Sequence, residues 1–207
     1  KLVFSLKLYR GNMKNIYKIL SILIFSLICF SNANSNEIKF GIEGGLTYAD
    51  MRAEETAQTL ANLSGSTVTY SYDEATWVGR FFADYSLSNE LSIEAGFFLT
   101  GSLDATYTIS GASATESYDA RGVDMALVAK QEELFFKVGM HSSELEGQAS
   151  LTIGGTTYSV SETISGSGFL VGGGLQLDES RVGITYYSDL GGDSDSDMTT
   201  LYYGVMF

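Results

Sequence analysis

Polar and apolar side chains alternate through most of this chain, and the charged residues of the alternating segments all fall on one side. Neighbouring side chains of a β-strand point to opposite faces, so residues two apart share a face. In the last nine residues, one mainly apolar and aromatic face consists of Thr199, Leu201, Tyr203, Val205 and Phe207. The same period recurs in seven earlier segments, and the pattern therefore predicts eight strands.

Connections between the eight segments alternate between short and long. Short polar and acidic residues predict tight turns at residues 88–90, 130–132 and 178–180. The other connections are long and rich in Ser, Thr, Gly and acidic residues. They are predicted to contain a short helix at residues 50–63 capped by Asp50, a ribbon that turns at residues 111–114, and a hairpin around Gly154-Gly155.

This rhythm of connections is typical of one architecture. A barrel in the bacterial outer membrane has short periplasmic turns, long external loops and strands of about ten residues. A soluble sandwich has no reason to segregate its connections by length. The absence of Pro agrees with long strands, because Pro cannot donate to a ladder. The sequence therefore predicts an all-β fold, an eight-stranded antiparallel up-and-down transmembrane β-barrel with short periplasmic turns and long extracellular loops.

The distribution of charge predicts which face of the barrel meets lipid. An Arg or Lys at the midplane of a lipid-facing surface costs about 2–4 kcal/mol, and the more apolar face of each predicted strand carries no charge. Periodicity alone leaves open a soluble barrel such as a lipocalin, with the apolar face inside. With lipid outside, the charged face closes the interior as a salt-bridged network, and a continuous pore is the alternative. The predicted network comprises Lys39, Glu43, Arg80, Asp84, Glu94, Asp124 and Lys137.

The first 33 residues have the pattern of an export signal. We interpret residues 1–12 as upstream sequence and Met13 as the start of a cleavable signal peptide. Lys14 and Lys18 precede an apolar run at residues 19–30, which is too short for a transmembrane helix. Small residues at 31–33 predict cleavage after Ala33, which leaves residues 34–207 as the barrel domain.

Composition excludes several classes of function. Beyond the leader, the chain has 7 basic and 25 acidic residues, and this balance disfavours a nucleic-acid partner. The single cysteine, Cys29, lies in the leader, and His141 is the single histidine. Thiolate and multi-histidine metal sites are therefore excluded, and neither a metal nor a cofactor is predicted.

Two short motifs suggest chemistry that the surrounding sequence does not support. The run from His141 through Ser142 and Ser143 to Glu144 has the residue types of a lipid hydrolase, but His141 falls on the inward face, away from lipid. No catalytic residue is therefore predicted. Acidic residues alternate at 193–197 like the start of a calcium loop, but the central Gly and final Glu of such a loop are missing. We interpret this segment as a solvated acidic tip, with a weak divalent-cation contact as the alternative.

Residues 34–207 resemble the eight-stranded outer membrane β-barrel family that includes the transmembrane domain of outer membrane protein A, outer membrane protein X and the opacity-like surface antigens. The resemblance rests on the leader, the strand count, the rhythm of the connections and the closing sequence TTLYYGVMF. It is architectural, and it transfers no functional motif residue by residue. The peptidoglycan-binding domain of protein A relatives is not expected.

This resemblance implies a location and a set of partners. The location is the bacterial outer membrane, where outer membrane lipids and lipopolysaccharide surround the barrel. The barrel assembly machinery is expected to recognise a signal formed by Leu201, Tyr203, Val205 and Phe207. The implied function is a non-enzymatic structural, adhesion or interaction role, in which the external loops meet host or neighbouring-cell ligands. A narrow porin-like channel is the alternative, followed by a lipid-modifying enzyme.

Overall fold

The computed structural model describes residues 37–50, 52–109 and 111–207. The predicted signal peptide and its cleavage site lie outside these residues. The described residues form ten strands, one α-helix and one short 3₁₀ helix. The strands are β1 (Ile38–Ala49), β2 (Thr69–Tyr72), β3 (Ala75–Ser86), β4 (Leu91–Thr100), β5 (Leu103–Ile109), β6 (Ala112–Gln131), β7 (Leu134–Ile153), β8 (Thr156–Leu177), β9 (Ser180–Tyr187) and β10 (Met198–Met206). The helices are α1 (Ala53–Ser64) and the 3₁₀ helix Leu190–Gly192.

Eight of the strands close into a ring. Around the barrel the order is β1, β3, β4, β6, β7, β8, β9 and β10, and every neighbouring pair is antiparallel. The seam between β10 and β1 extends to the last residue, because the Phe207 amide donates to the Phe40 carbonyl at 2.8 Å and the Phe207 carbonyl accepts from the Phe40 amide at 3.0 Å. The predicted eight-stranded barrel is confirmed.

The two faces of the ring differ as the charge pattern predicted. Outward apolar side chains are half exposed, for example Ile42 at 56% and Val138 at 59%, whereas Phe82, Phe98 and Phe135 point inward and are fully buried. The most deeply buried charged side chains also lie on the inward face. The apolar rows therefore form a belt around the outside, and the soluble alternative with a dry apolar interior is wrong.

Three ring strands continue past the barrel and build a second feature, which we call the external sheet. It consists of β2, β5, residues 112–120 of β6, residues 145–153 of β7 and residues 156–165 of β8. The predicted ribbon is present, but a break at Gly101 separates β5 from β4 and the turn falls between Ile109 and Ala112. The hairpin at Gly154-Gly155 forms as predicted, with both residues at positive φ. Strand β2 was not predicted.

The two faces of the external sheet continue the two faces of the barrel. Its outward face carries rows of hydroxyl groups, such as the row of Thr106, Thr115, Ser150 and Ser159 across neighbouring strands. Thr115 and Ser150 hydrogen-bond within this row at 2.5 Å. Because the outward face changes from apolar to polar at the base of the sheet, the sheet stands above the apolar belt.

Helix α1 covers one half of the inward face of the external sheet. Its small residues Ala53 and Ala57 pack against Ala105 and Tyr107 of β5. The half formed by β7 and β8 remains uncovered, so Leu151, Tyr158 and Val160 are exposed there. No helix among the described residues is long and apolar enough to cross a membrane.

The start of α1 differs from the prediction. Arg52, in a left-handed conformation at φ 48°, occupies the position before the helix, and Asp50 is not the cap. The Asp50 carboxylate instead accepts a hydrogen bond from the Arg52 amide at 2.9 Å, which stabilises the sharp turn out of β1. Gly65 ends the helix at φ 63°, a conformation that glycine adopts without steric cost.

The end of β9 also differs. The alternation predicted that this strand continues through Asp189 and Leu190, with Leu190 facing lipid and Asp189 facing the interior. The strand ends at Tyr187, and Asp189 turns the chain at φ 53°. Leu190 consequently points into the barrel mouth, where it is buried, and Asp189 is half-buried outside the strand.

Candidate functional site

The centre of the barrel holds Arg80 in contact with three carboxylates. Its guanidinium binds Asp124 in a bidentate pair, with Nε donating at 2.8 Å and Nη2 at 2.6 Å. Nη1 donates to Glu43 at 3.0 Å and to Glu94 at 3.1 Å. The planar fork of an arginine suits such a set of acceptors better than the point charge of a lysine.

Arg181 supplies the second cation of this group. It pairs with both Glu43 and Glu94, and its Nη2 lies 3.2 Å from Glu94 Oε2. We call Glu43, Arg80, Glu94, Asp124 and Arg181 the central cluster. All five side chains are buried. Arg181 was missing from the predicted network, although its position on the inward face of β9 was a signal for it.

Strand register explains how Arg181 reaches the cluster. Arg80 lies opposite Glu43, Glu43 opposite Gly204, and Gly204 opposite Arg181, so the four residues form one row across β3, β1, β10 and β9. A Cβ atom on Gly204 would lie 2.9 Å from Glu43 Cγ and 3.4 Å from Arg181 Cγ. The glycine therefore leaves the space in which the two charged side chains meet.

Aromatic rings complete the plug. The Arg181 guanidinium carbon lies 4.0 Å from the centroid of Phe82, and that of Arg80 lies 4.9 Å from the same ring. Such stacking supports a desolvated guanidinium through the negative face of the ring. The interior is consequently filled by paired charges and rings.

The remaining predicted members make no ion pair with the central cluster among the described residues. Lys137 is buried against Tyr202, with its Nζ 4.7 Å from the ring centroid, and no ion pair within 4.0 Å is found for it among the described residues. Asp84 pairs with Lys130 at 3.2 Å and accepts from Ser92 at 2.9 Å. Lys39 does not reach the interior group, since it is 45% exposed and faces Glu37 at 3.7 Å.

Gly96 gives a test of how tightly the central cluster is packed. A Cβ atom there would lie 2.6 Å from Arg80 Nε and 2.8 Å from its Cζ, and Arg80 cannot yield without losing a carboxylate contact. We expect Gly96→Ala to lower the free energy of unfolding by about 1–3 kcal/mol, as overpacking does elsewhere. Urea unfolding in lipid vesicles measures this. Gly44→Ala is the matched control, because nothing lies within 4 Å of its Cβ position, and equal stability losses in both variants would contradict the tight packing.

The structure does not assemble a hydrolase from residues 141–144. His141 is buried, its Nε2 donates to the Ser188 carbonyl at 2.6 Å, and its ring packs edge-on against Phe98 and Tyr187. Ser143 accepts from the Gly191 amide at 2.9 Å. Within the described residues, His141 makes no hydrogen bond with a serine hydroxyl, so the pairing of base and nucleophile is missing.

The acidic tip at residues 193–197 uses its carboxylates to fold the loop. Asp193 accepts from the Asp195 amide and the Ser196 hydroxyl, at 3.2 and 3.0 Å. Asp197 accepts from the Tyr186 hydroxyl at 2.6 Å and from the Asp189 amide at 3.1 Å. Over the described ranges, no three His, Cys, Asp or Glu side chains are placed to hold a metal ion.

The predicted assembly signal lies on the outside of the seam strand. Leu201, Tyr203, Val205 and Phe207 all point outward from β10 or its end and are exposed on the belt. Their recognition by the assembly machinery stays a prediction.

The external part of the chain is strongly acidic. Residues 49–76, 101–122, 142–168 and 188–197 contain 15 acidic and two basic residues. Both arginines are already paired, Arg52 with Asp195 at 3.1 Å and Arg121 with Glu144 at 2.8 Å. Beside this charge lies the uncovered apolar half of the external sheet, where Tyr158 is 64% and Val160 is 67% exposed.

Comparison with known proteins identifies the fold. No family model matches the chain, and no curated protein matches it. Among solved structures, Ail, the attachment invasion locus protein of Yersinia pestis, in complex with the heparin analogue sucrose octasulfate, is 13% identical and aligns over 83% of this chain and 99% of Ail with a TM-score of 0.51. The neisserial surface protein A aligns over 84% of this chain and 98% of its own at 14% identity, with a TM-score of 0.44.

At this level of identity the likeness to Ail shows the fold alone. The predicted resemblance to eight-stranded outer membrane β-barrels is confirmed in that sense, since the chain folds as an outer membrane barrel of this type.

Proposed function

We propose that this protein is a non-enzymatic surface barrel of the bacterial outer membrane that binds a partner through its external sheet. The main support for this proposal is that the molecule consists of a closed barrel and a sheet that projects above the apolar belt. One half of that sheet is apolar and uncovered. Outer membrane lipids and lipopolysaccharide surround the belt in this proposal. The barrel anchors the sheet, and the sheet makes the contact.

The filled interior supports an interaction role over the channel alternative. The central cluster and the buried rings of Phe82, Phe98 and Phe135 occupy the cross-section that a solute would need. An eight-stranded barrel leaves an interior just wide enough for such side chains. Breaking buried ion pairs to open a path is costly, because each partner left behind is an uncompensated charge.

Charge supports a basic partner. Ail was solved with a sulfated heparin analogue, which is an anion. The external part of this chain, with 15 acidic residues and two paired arginines, repels such a ligand and attracts cationic surfaces. We therefore propose that the partner presents basic groups around an apolar contact, and that its specificity differs from that of Ail.

Adhesion of bacteria that display the barrel tests this function. Cells that produce it are expected to bind beads coated with a basic protein such as histone and not beads coated with heparin. The double variant Tyr158→Ser and Val160→Ser should lower this binding several-fold, because exposed aromatic and aliphatic side chains supply the desolvated centre of an interface. Membrane fractionation and heat-modifiable gel mobility verify that each variant is folded in the outer membrane.

The matched control lies on the opposite face of the same strand. Ser159→Ala with Ser161→Ala changes two outward hydroxyl positions of β8 and leaves the apolar half intact. Unchanged adhesion in the Tyr158 and Val160 variant, or a preference for heparin beads, would contradict the proposed contact surface.

A further inference from the structure

A cavity of about 380 Å³ lies at the outer mouth of the barrel. We call it the mouth cavity. Its lining includes the buried apolar side chains of Leu103, Leu190 and Met198. Leu190 and Met198 belong to a packed layer with Phe98 and Tyr187, which separates the cavity from the central cluster below. The cavity is thus a blind recess with an apolar base, and its volume is in the range of small-ligand sites.

The upper walls of the mouth cavity come from three separate parts of the chain. Arg52 and Thr56 contribute from the start of α1, Glu116 and Tyr118 from β6, and Ile164 from β8. The acidic tip at residues 193–197 closes the remaining side. These walls belong to a sheet, a helix and a loop that is held by its own hydrogen bonds, so the recess is already formed in the absence of a ligand.

Glu116 is an inward-facing carboxylate of this wall that has no ion pair among the described residues. Its Oε2 accepts from the Tyr107 hydroxyl at 3.3 Å, and within the described residues no Lys or Arg lies at ion-pair distance from it. Burial, together with this nearby carboxylate, raises the pKa of Tyr107 to about 12. The same two causes raise the pKa of Tyr118. The Glu116 carboxylate contributes to both pKa shifts, and burial contributes more.

Among the other acidic residues of the lining, Asp50 accepts from the Arg52 amide, and Asp119 lies on the outward face of β6, opposite Glu146. The three acidic residues of the loop at 193–197 are engaged in the fold. Asp195 binds Arg52 through two contacts of 3.1 and 3.2 Å, and Asp197 and Asp193 accept hydrogen bonds within their own loop. Arg52, the one basic residue in the lining, therefore has its charge taken up by Asp195. What remains open to a ligand is an apolar base and the Glu116 carboxylate above it.

We propose that the mouth cavity binds a small organic cation with an apolar body, whose charge contacts Glu116 and whose body packs on Leu103 and Met198. An inorganic ion leaves the apolar base unused, and an anion meets Glu116 and the acidic tip. An ammonium group carried on an aromatic or aliphatic body satisfies both halves of the recess. This site is separate from the exposed half of the external sheet, so a negative result at the cavity would not contradict the proposed adhesion role, and the reverse also holds.

Titration calorimetry of the full barrel, refolded in neutral detergent micelles, tests the site with phenyltrimethylammonium as the probe. We expect saturable binding at one site, weaker binding of tetramethylammonium because it lacks the apolar body, and no binding of benzenesulfonate because it carries the opposite charge. Glu116→Gln should weaken phenyltrimethylammonium binding about tenfold, which corresponds to about 1.4 kcal/mol.

Two further variants make the result specific. Ile164→Trp adds bulk to the cavity wall and should abolish binding, whereas Glu162→Gln removes an acid from the same face of β8 that does not line the cavity and should leave the affinity unchanged. Heat-modifiable mobility shows that each variant is folded. Equal affinity in the Glu116→Gln protein, equal binding of benzenesulfonate, or no binding of phenyltrimethylammonium to the unaltered barrel would overturn the proposal.

Discussion

Replacement of Arg181 by Met is expected to destabilise the folded barrel by about 3–5 kcal/mol, because it leaves buried carboxylates without their counter-charge. Arg181 pairs with Glu43 and Glu94 in the interior, and none of the three side chains has appreciable contact with solvent. Methionine keeps the unbranched apolar stem of arginine and removes the guanidinium, together with its contact with Phe82. Urea unfolding in lipid vesicles measures the effect.

Two companion variants separate charge pairing from general damage. Arg121→Met removes an arginine from an exposed pair with Glu144, and little change in stability is expected there. Adding Glu94→Gln to Arg181→Met removes one uncompensated carboxylate, so the double variant should recover part of the lost stability. A single Arg181→Met barrel as stable as the parent would show that the central cluster is dispensable.

The second large effect is expected on the lipid-facing belt. Ile184 points outward from β9 and is exposed between Leu201 of β10 and Gly173 of β8. Ile184→Arg should lower the free energy of unfolding by about 2–4 kcal/mol, because a charge there is removed from water without a partner. Trp77, the single tryptophan, also lies exposed on the outside, so its fluorescence reports insertion and unfolding directly.

Depth along the barrel supplies the controls for this variant. Leu177→Arg at the turn end of β8 should cost only about 0–1 kcal/mol, because the side chain reaches the interface. Thr157→Arg continues the same outward direction in the external sheet, above the belt, and is expected to be neutral. Equal costs at Ile184 and Thr157 would show that the belt does not meet lipid.

The ring of strands was predictable because its signal is local and repeated. Each ring strand buries one face, so a slip of one residue would place Arg80 or Lys137 in lipid, and the pattern fixes which residues point inward. The rhythm of short and long connections then fixes the topology. These two constraints act on every strand, and local departures such as Asp189 and Leu190 at the end of β9 do not disturb the whole.

The candidate site was predictable only in part. The alternation of side chains along each strand predicted that Glu43, Arg80, Glu94 and Asp124 point inward. It could not show which of these side chains contact one another. That depends on the row across neighbouring strands that joins Arg80, Glu43, Gly204 and Arg181. Lys39 has the alternation of an inward residue but lies at the rim of the barrel, because alternation does not give the position of a residue along the barrel axis. The mouth cavity was not predictable at all, because α1, β6, β8 and the acidic tip converge there only after the barrel closes.

The central cluster also has a consequence for how the barrel forms. Its members come from β1, β3, β4, β6 and β9, and the contact between Glu43 and Arg181 spans the seam where the first and last strands meet. A partly inserted chain whose seam is still open therefore has charged side chains without their partners. The stabilisation that comes from pairing them is gained only when the seam closes. We therefore expect closure of the seam to be late and cooperative, because it depends on contacts between distant parts of the chain. The ion pairs that fill the closed barrel are thus also the last contacts that its assembly completes.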